Sequence, residues 1–206
     1  MTVPDEPGGP YPADGSNGIN VLTEQGIVRR SLHQSFGSSV GEVAGVALTL
    51  RVTLINTGST CEPLAGRAVY LWHANAAGRY SLYEDKDQNW LRGVQELDAT
   101  GTCTFQTIFP GCYKGRYPHI HFEIFPGLSA ATSQRGNLKT SELTFPTDVC
   151  GAVYETPGYE ASVANFAKTS LRGDILFGDG APLQLVTVTG TPASGLVGAI
   201  SLGVPS

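Results

Sequence analysis

Residues 44–56, AGVALTLRVTLIN, decide the fold. Val46, Leu48, Leu50, Val52 and Leu54 alternate with Ala47, Thr49, Arg51 and Thr53. A period of two puts every large apolar side chain on one face of a strand and leaves the other face polar. Gly58-Ser59-Thr60 ends the run. Outward from it, Arg67–His73 (RAVYLWH) is a second strand, rich in aromatic and β-branched residues. Residues 74–100 carry turn residues and read as a long loop region. Thr102–Phe109 and Pro118–Phe125 are strands, each stopped by Pro-Gly, and Glu142–Phe145 is a short one before Pro146. Leu183–Thr189 and Leu196–Leu202 read as closing strands. One helix is expected over Gly158–Thr169, where Tyr159, Val163 and Phe166 would share a face. Residues 1–20, rich in Pro and Gly, should run as irregular backbone over the domain. The fold class is all-β: a single β-sandwich with long loops and one short helix.

Composition agrees. The chain has 206 residues with 26 Gly and 13 Pro, too turn-rich for a helix bundle. Its net charge of −5, without a Lys/Arg run, disfavours nucleic acid as a partner. No apolar stretch approaches the ~18–20 residues of a membrane span. Cysteines at 61, 103, 112 and 150 form no C-x-x-C pair, which weakens zinc-ribbon and thioredoxin-like readings. Their even number suits two disulfides in a secreted protein, and buried free thiols are the competing reading. Met1-Thr2-Val3-Pro4 leads into acidic, Pro/Gly-rich sequence without a signal-peptide pattern, as in a mature chain with an added Met1 or a cytosolic protein.

Chemistry gathers around His119-Ile120-His121, two of only four histidines. On a strand, His119 and His121 point the same way, about 6–7 Å apart along the backbone, while Ile120 enters the core. Two such imidazoles can converge on one metal, although an isolated H-x-H is more often a hydrogen-bonded surface pair. Two further ligand types lie within reach. The turn after Pro110-Gly111 brings Tyr113 towards the start of the histidine strand, and Tyr80 follows Gly78-Arg79 in the loop after strand 67–73. Glu123 faces the same side as the histidines. Two His with Glu would suit a ferrous site, zinc, copper or a cupin, but a cupin places its Glu further on and a later His beyond it. Two His with Tyr would suit ferric iron, because phenolate is a hard anionic donor for a hard cation.

Longer blocks carry a resemblance. LWHANAAGRYSLY (71–83), WLRGVQELDATGTCTFQTIFPGCY (90–113) and GRYPHIHFEIFPG (115–127) are similar, in order, to the core of the intradiol ring-cleavage dioxygenases. GPY at 9–11 resembles the family's segment before that core. The resemblance implies one intradiol-dioxygenase-like domain over residues 1–206 with a non-haem Fe(III) cofactor. Its ligands would be Tyr80, Tyr113, His119 and His121, with Tyr113 and His121 axial and Tyr80 and His119 equatorial. It implies Arg116 as the active-site cation and Tyr113 as a catalytic, dissociable ligand. The substrates would be a small catechol-type aromatic and O2, cleaved between the two hydroxyl-bearing carbons to a muconate-type dicarboxylate. Tyr83 and Tyr117 match no ligand position and read as packing or pocket wall; His73 reads as a local hydrogen-bonder, and His33 has no partner motif. One position departs from the pattern: Glu142 stands where family members often carry a Gln that assists Arg116. A carboxylate there repels an anionic substrate unless it is protonated or paired with Arg116.

In its cysteines and its short N-terminal region the chain is similar to secreted actinobacterial members, which sets a secreted location as the expectation. Cys61–Cys103 with Cys112–Cys150 is the preferred pairing. The oligomeric state stays open, and no nucleic-acid or membrane partner is implied. The alternative reading is a non-catalytic β-sandwich module that binds carbohydrate or protein through the 74–100 region.

Overall fold

The alternating run becomes β1 (Ala47–Asn56) in the computed structural model, which describes residues 1–58 and 61–205. Ser59 and Thr60, read above as part of a strand break, lie outside the described residues. Leu48, Leu50, Val52 and Leu54 are buried and Arg51 is exposed, as the period of two requires. β1 is flanked by β4 (Thr102–Ile108), antiparallel, and β8 (Gly195–Val204), parallel; β7 (Thr187–Thr191) completes the sheet β4-β1-β8-β7. A second, wholly antiparallel sheet is ordered β3 (Arg92–Glu96), β2 (Ala68–Trp72), β5 (His119–Phe125), β6 (Lys139–Thr144). The molecule is an all-β sandwich with two short helices, α1 (Thr147–Tyr154) and α2 (Glu160–Phe166). Among the described residues no helix is long and apolar enough to cross a membrane.

Two apolar layers fix the position of the site. Leu50 and Phe105 from the first sheet belong to one core with Val69, Leu71, Ile120, Phe122 and Ile124 from the second. Each such side chain contributes roughly 1.5–3 kcal/mol when fully buried. The other face of the second sheet is covered too. Ala68, Tyr70 and Trp72 pack there with Ala13, Val21, Leu22, Ile27 and Phe36 from the N-terminal segment and Tyr80 from the loop after β2. This explains why all seven residues of β5 are buried. Strand register then lines up Arg92, Trp72, His121 and Glu142 in one row across the four strands of that covered face.

Several expectations need correction. The 74–100 region is not all loop: it contains β3, whose Gly93 hides the signal. A Cβ there would press on the Leu32 and Arg29 side chains, so glycine lets the N-terminal segment lie close against this strand. α1 was not expected; it begins after Pro146 with Asp148 in its first turn, a start signal that its short length obscures. α2 falls within 158–169, with Tyr159 just before it buried and Phe166 packed on Tyr117 and Tyr154 as expected, but Val163 is 47% exposed and Ser162 is the buried residue of the helix, which adds a polar contact to the apolar one. The strand expected over 183–189 begins only at Thr187, because the Val186 N–H donates to the Thr144 carbonyl and the Gln184 carbonyl accepts the Thr144 N–H, which ties this stretch to β6 of the other sheet. All four cysteines are free thiols, which overturns the preferred pairing. Cys112 Sγ turns to the Arg116 carbonyl at 3.4 Å, Cys150 Sγ turns to that of Phe145, and Cys61 is exposed while Cys103 is buried.

Candidate metal centre

β5 presents His119 and His121 on the covered face, and their hydrogen bonds decide which nitrogens are free. His119 Nδ1 donates to the Tyr117 carbonyl at 2.6 Å, which leaves Nε2 with a lone pair. The His121 ring stacks flat on Trp72, centroids 4.9 Å apart, and its Nδ1 lies 3.2 Å from Glu142 Oε1, poorly aligned for a hydrogen bond. The two Nε2 atoms are 3.2 Å apart. Tyr113, in the turn before β5, brings its hydroxyl to 3.2 Å from His119 Nε2. Tyr80 sets its ring edge-to-face against Tyr113 at 5.8 Å and 6.2 Å from His121. Its buried hydroxyl has no well-formed hydrogen bond. Two imidazoles and two phenols therefore converge from three separate segments.

A match over more than half of the chain accompanies this geometry: a family model described as Dioxygenase fits residues 29–148. The chain belongs to the intradiol ring-cleavage dioxygenase family. A protocatechuate 3,4-dioxygenase beta chain from Burkholderia cepacia is 36% identical over 98 residues, 41% of this chain. The match spans about two-fifths (41%) of the length of that curated relative. An intradiol ring-cleavage dioxygenase from Tetranychus urticae shares the fold with a TM-score of 0.78 at 23% identity, covering 100% of this chain and 95% of its own. The dioxygenase domain of a carbohydrate-binding fusion protein from Streptomyces sp. SirexAA-E superimposes with a TM-score of 0.61 at 25% identity, over 100% and 99% of the two chains.

In this family member the two tyrosine-bearing loops are clamped together. Gly78, at φ +78°, and Gly111 let the backbones of 75–78 and 111–113 touch; a Cβ on Gly111 would run into the Asn75 and Ala76 carbonyls. Ser162 of α2 closes the junction: its hydroxyl donates to the Ala76 carbonyl at 2.7 Å and accepts the Cys112 N–H at 2.9 Å. Asn165 adds a bond to the Cys112 carbonyl. Over the top, Tyr11 stacks on Tyr80 at 4.6 Å, and a Cβ on Gly9 would sit 3.2 Å from His121 Cε1.

Arg116 has both edges of its guanidinium engaged. Nη1 and Nη2 pair with the two oxygens of Glu142, while Nε and Nη2 pair with Asp174 at 3.0 and 3.3 Å. Asp174 is itself held by the N–H groups of Tyr117 and Leu176. Burial would raise the Glu142 carboxyl, but the Arg116 guanidinium on both its oxygens holds it below the usual carboxylate range. Burial would lower Arg116, and its two carboxylates outweigh this and keep it charged. Burial pushes His119 down and His121 to about 3, so both imidazoles are neutral, the form that ligates metal. Burial also lifts Tyr80 well above the usual phenol range and Tyr113 to about 12, so without a cation both keep their protons.

This donor set fits a hard cation. The two Nε2 atoms lie 3.2 Å apart beside a buried phenol without a well-formed partner, and a metal ion satisfies all three at once. His119, His121 and Glu142 also offer three ligand atoms within 4.8 Å of one another, but Arg116 occupies both Glu142 oxygens.

The remaining sequence candidates lie elsewhere. Glu123 faces the covered side but bonds Asn137 and Thr140, so the carboxylate beside the histidines is Glu142, not Glu123. Tyr83 bonds the Ala13 N–H and Asn17, and Tyr117 bonds Thr147. His73 bonds the Ala74 carbonyl and Thr107, and His33 lies near Ser31. Asp174 carried no signal, 58 positions from Arg116 and beyond the stretch the family model matches. Trp72 lay inside a quoted block, yet its stacking on His121 depends on strand register.

Proposed function

We propose that the protein is a non-haem Fe(III) intradiol dioxygenase that inserts O2 between the hydroxyl-bearing carbons of a catechol, giving a muconate-type dicarboxylate. The observation that carries this reading is the convergence of Tyr80, Tyr113, His119 and His121. These four residues would hold the metal, and ferric iron bound there supplies the redox chemistry that makes a chelated catecholate reactive towards O2.

The chain's own groups have distinct tasks. Trp72 fixes the plane of His121, and the Tyr117 carbonyl fixes that of His119. Tyr80 is wedged between Tyr11 and Tyr113 and stays in place. Tyr113 is half-buried in a turn, outside any strand, and is the ligand free to leave. With the metal bound Tyr113 would be a phenolate, and its oxygen would accept one of the two protons that a catechol must lose, becoming the neutral phenol. Arg116 keeps a single Nη1 N–H clear of both carboxylates, and this donor is available to the anionic ring. The N-terminal segment, through Gly9 and Tyr11, screens the centre from bulk water.

The test is direct. Iron-loaded protein should be red-brown from tyrosinate-to-iron charge transfer, consume one O2 per catechol and yield the ring-opened diacid. A colourless, inactive metal-replete protein would return the sandwich to a binding module. Tyr113→Phe should keep its iron and lose most of its turnover, and full activity in that variant would remove Tyr113 from its role.

A further inference from the structure

Arg116 is the cation nearest the histidines, and it has no fork left to offer. A guanidinium can grip carboxylates along two edges. Its Nη1/Nη2 edge is taken by Glu142 and its Nε/Nη2 edge by Asp174. Both carboxylate side chains are fully buried, and that of Arg116 is 15% exposed. One positive charge therefore stands against two negative ones, and the surplus is negative. Two more carboxylates extend this field outward: Glu6, half-buried in the N-terminal segment, lies within electrostatic reach of Glu142, Arg116 and Asp179. Arg92, in the same cross-strand row, adds a buried positive charge but no free donor: its N–H groups are held by Ser81, the Pro12 carbonyl and Tyr70, so it cannot grip an incoming carboxylate.

We propose that the Arg116–Glu142–Asp174 cluster makes this site select uncharged catechols and reject catechols with a ring carboxylate. The inference rests on the catechol-cleaving function proposed above and narrows its substrate class. A ring carboxylate entering here meets a net negative field and no free cationic fork. It loses its own hydration without a partner, which penalises it whatever its shape. Glu142 is the specificity-determining residue, because its carboxylate, one of two set against a single guanidinium, is the one closest to His121. For one unit charge at an effective dielectric constant of about 20, the handicap is about tenfold or more in kcat/KM.

The experiment uses the wild-type iron-loaded protein and two isosteric substrates: a catechol with a ring carboxylate and the same ring with a carboxamide. The two differ in charge and hardly in size. The carboxamide should have the higher kcat/KM by about tenfold or more. Equal values, equal rejection of both, or preference for the carboxylate would overturn the proposal. Glu142→Gln should narrow the carboxamide-to-carboxylate ratio towards one, and an unchanged ratio would remove Glu142 from the role. Should that variant not fold, the wild-type pair alone decides. Anaerobic binding of both compounds, followed by the visible absorption of the protein, separates the two levels of inference. Discrimination in binding without turnover would sink the dioxygenase reading and leave charge selection standing; turnover without discrimination would do the reverse.

Discussion

Arg116 shows how one residue can be readable in its chemistry and unreadable in its company. Its position three residues before His119 marks it as a site cation, and only the fold brings Glu142 and Asp174 onto its two edges. The consequence is a double role. Arg116→Ala strands two buried carboxylates, and breaking a buried pair costs about 3–5 kcal/mol. The variant should therefore unfold at markedly lower denaturant, with lost activity that is only partly catalytic. Arg116→Ala/Glu142→Gln should recover part of that stability, because one of the stranded charges is gone. Chemical denaturation of the single and double variants measures this, and equal stability of the two would show that Glu142 does not depend on Arg116. The ligand candidates were legible for a simple reason: period-two alternation puts His119 and His121 on one side whatever the tertiary fold. Glu142 and Asp174 needed strand register and a long-range contact, which no local pattern encodes.

At the scale of elements, the strands with clear alternation or dense β-branched and aromatic content, β1, β2, β4 and β5, could be placed to within a few residues. β3, α1 and the start of β7 could not. β3 contains a glycine that lets a neighbour lie close, α1 spans two turns, and β7 is an exposed edge with little apolar pattern. The buried side of α2 is the instructive case. Apolar spacing pointed to Tyr159, Val163 and Phe166; the first and last do pack inward, but in place of Val163 the helix buries Ser162, which satisfies one backbone group from each tyrosine-bearing loop. Ser162→Ala leaves the buried Cys112 N–H without a partner, at a cost of about 1–3 kcal/mol. The melting temperature should fall accordingly, and kcat should fall with it because Tyr80 and Tyr113 are no longer clamped together. Ser162→Thr keeps the hydroxyl and should retain more of both. A drop in stability without any change in kcat would show that the clamp serves the fold alone.

At the scale of the whole molecule, the two sheets are joined near the site by one buried histidine. His73, just past the end of β2, donates from Nδ1 to the Ala74 carbonyl at 2.8 Å and accepts at Nε2 from Thr107 Oγ1, on β4 of the opposite sheet, at 2.7 Å. Its place in the aromatic W-H-A stretch suggested a local bond; the bond across the sandwich comes from the packing of the two sheets. The neutral imidazole satisfies both ring nitrogens without bringing a charge into the interior. Burial, opposed by the Ala74 carbonyl, pushes its pKa from the usual 6.5 down to about 3. The sign follows from linkage: between these values the unfolded chain binds a proton at this residue and the folded chain does not, so folding loses stability as pH falls. The contribution is complete above pH 6.5 and drains away from 6.5 towards 3, at roughly 1.4 kcal/mol per pH unit for one proton. His73→Gln keeps a donor and an acceptor but does not titrate. The stability advantage of wild type over this variant should therefore be constant above pH 6.5 and shrink steadily below it. Denaturant unfolding of both proteins across that range measures the slope, and a difference independent of pH would mean that His73 takes up its proton in the folded protein as readily as in the unfolded chain.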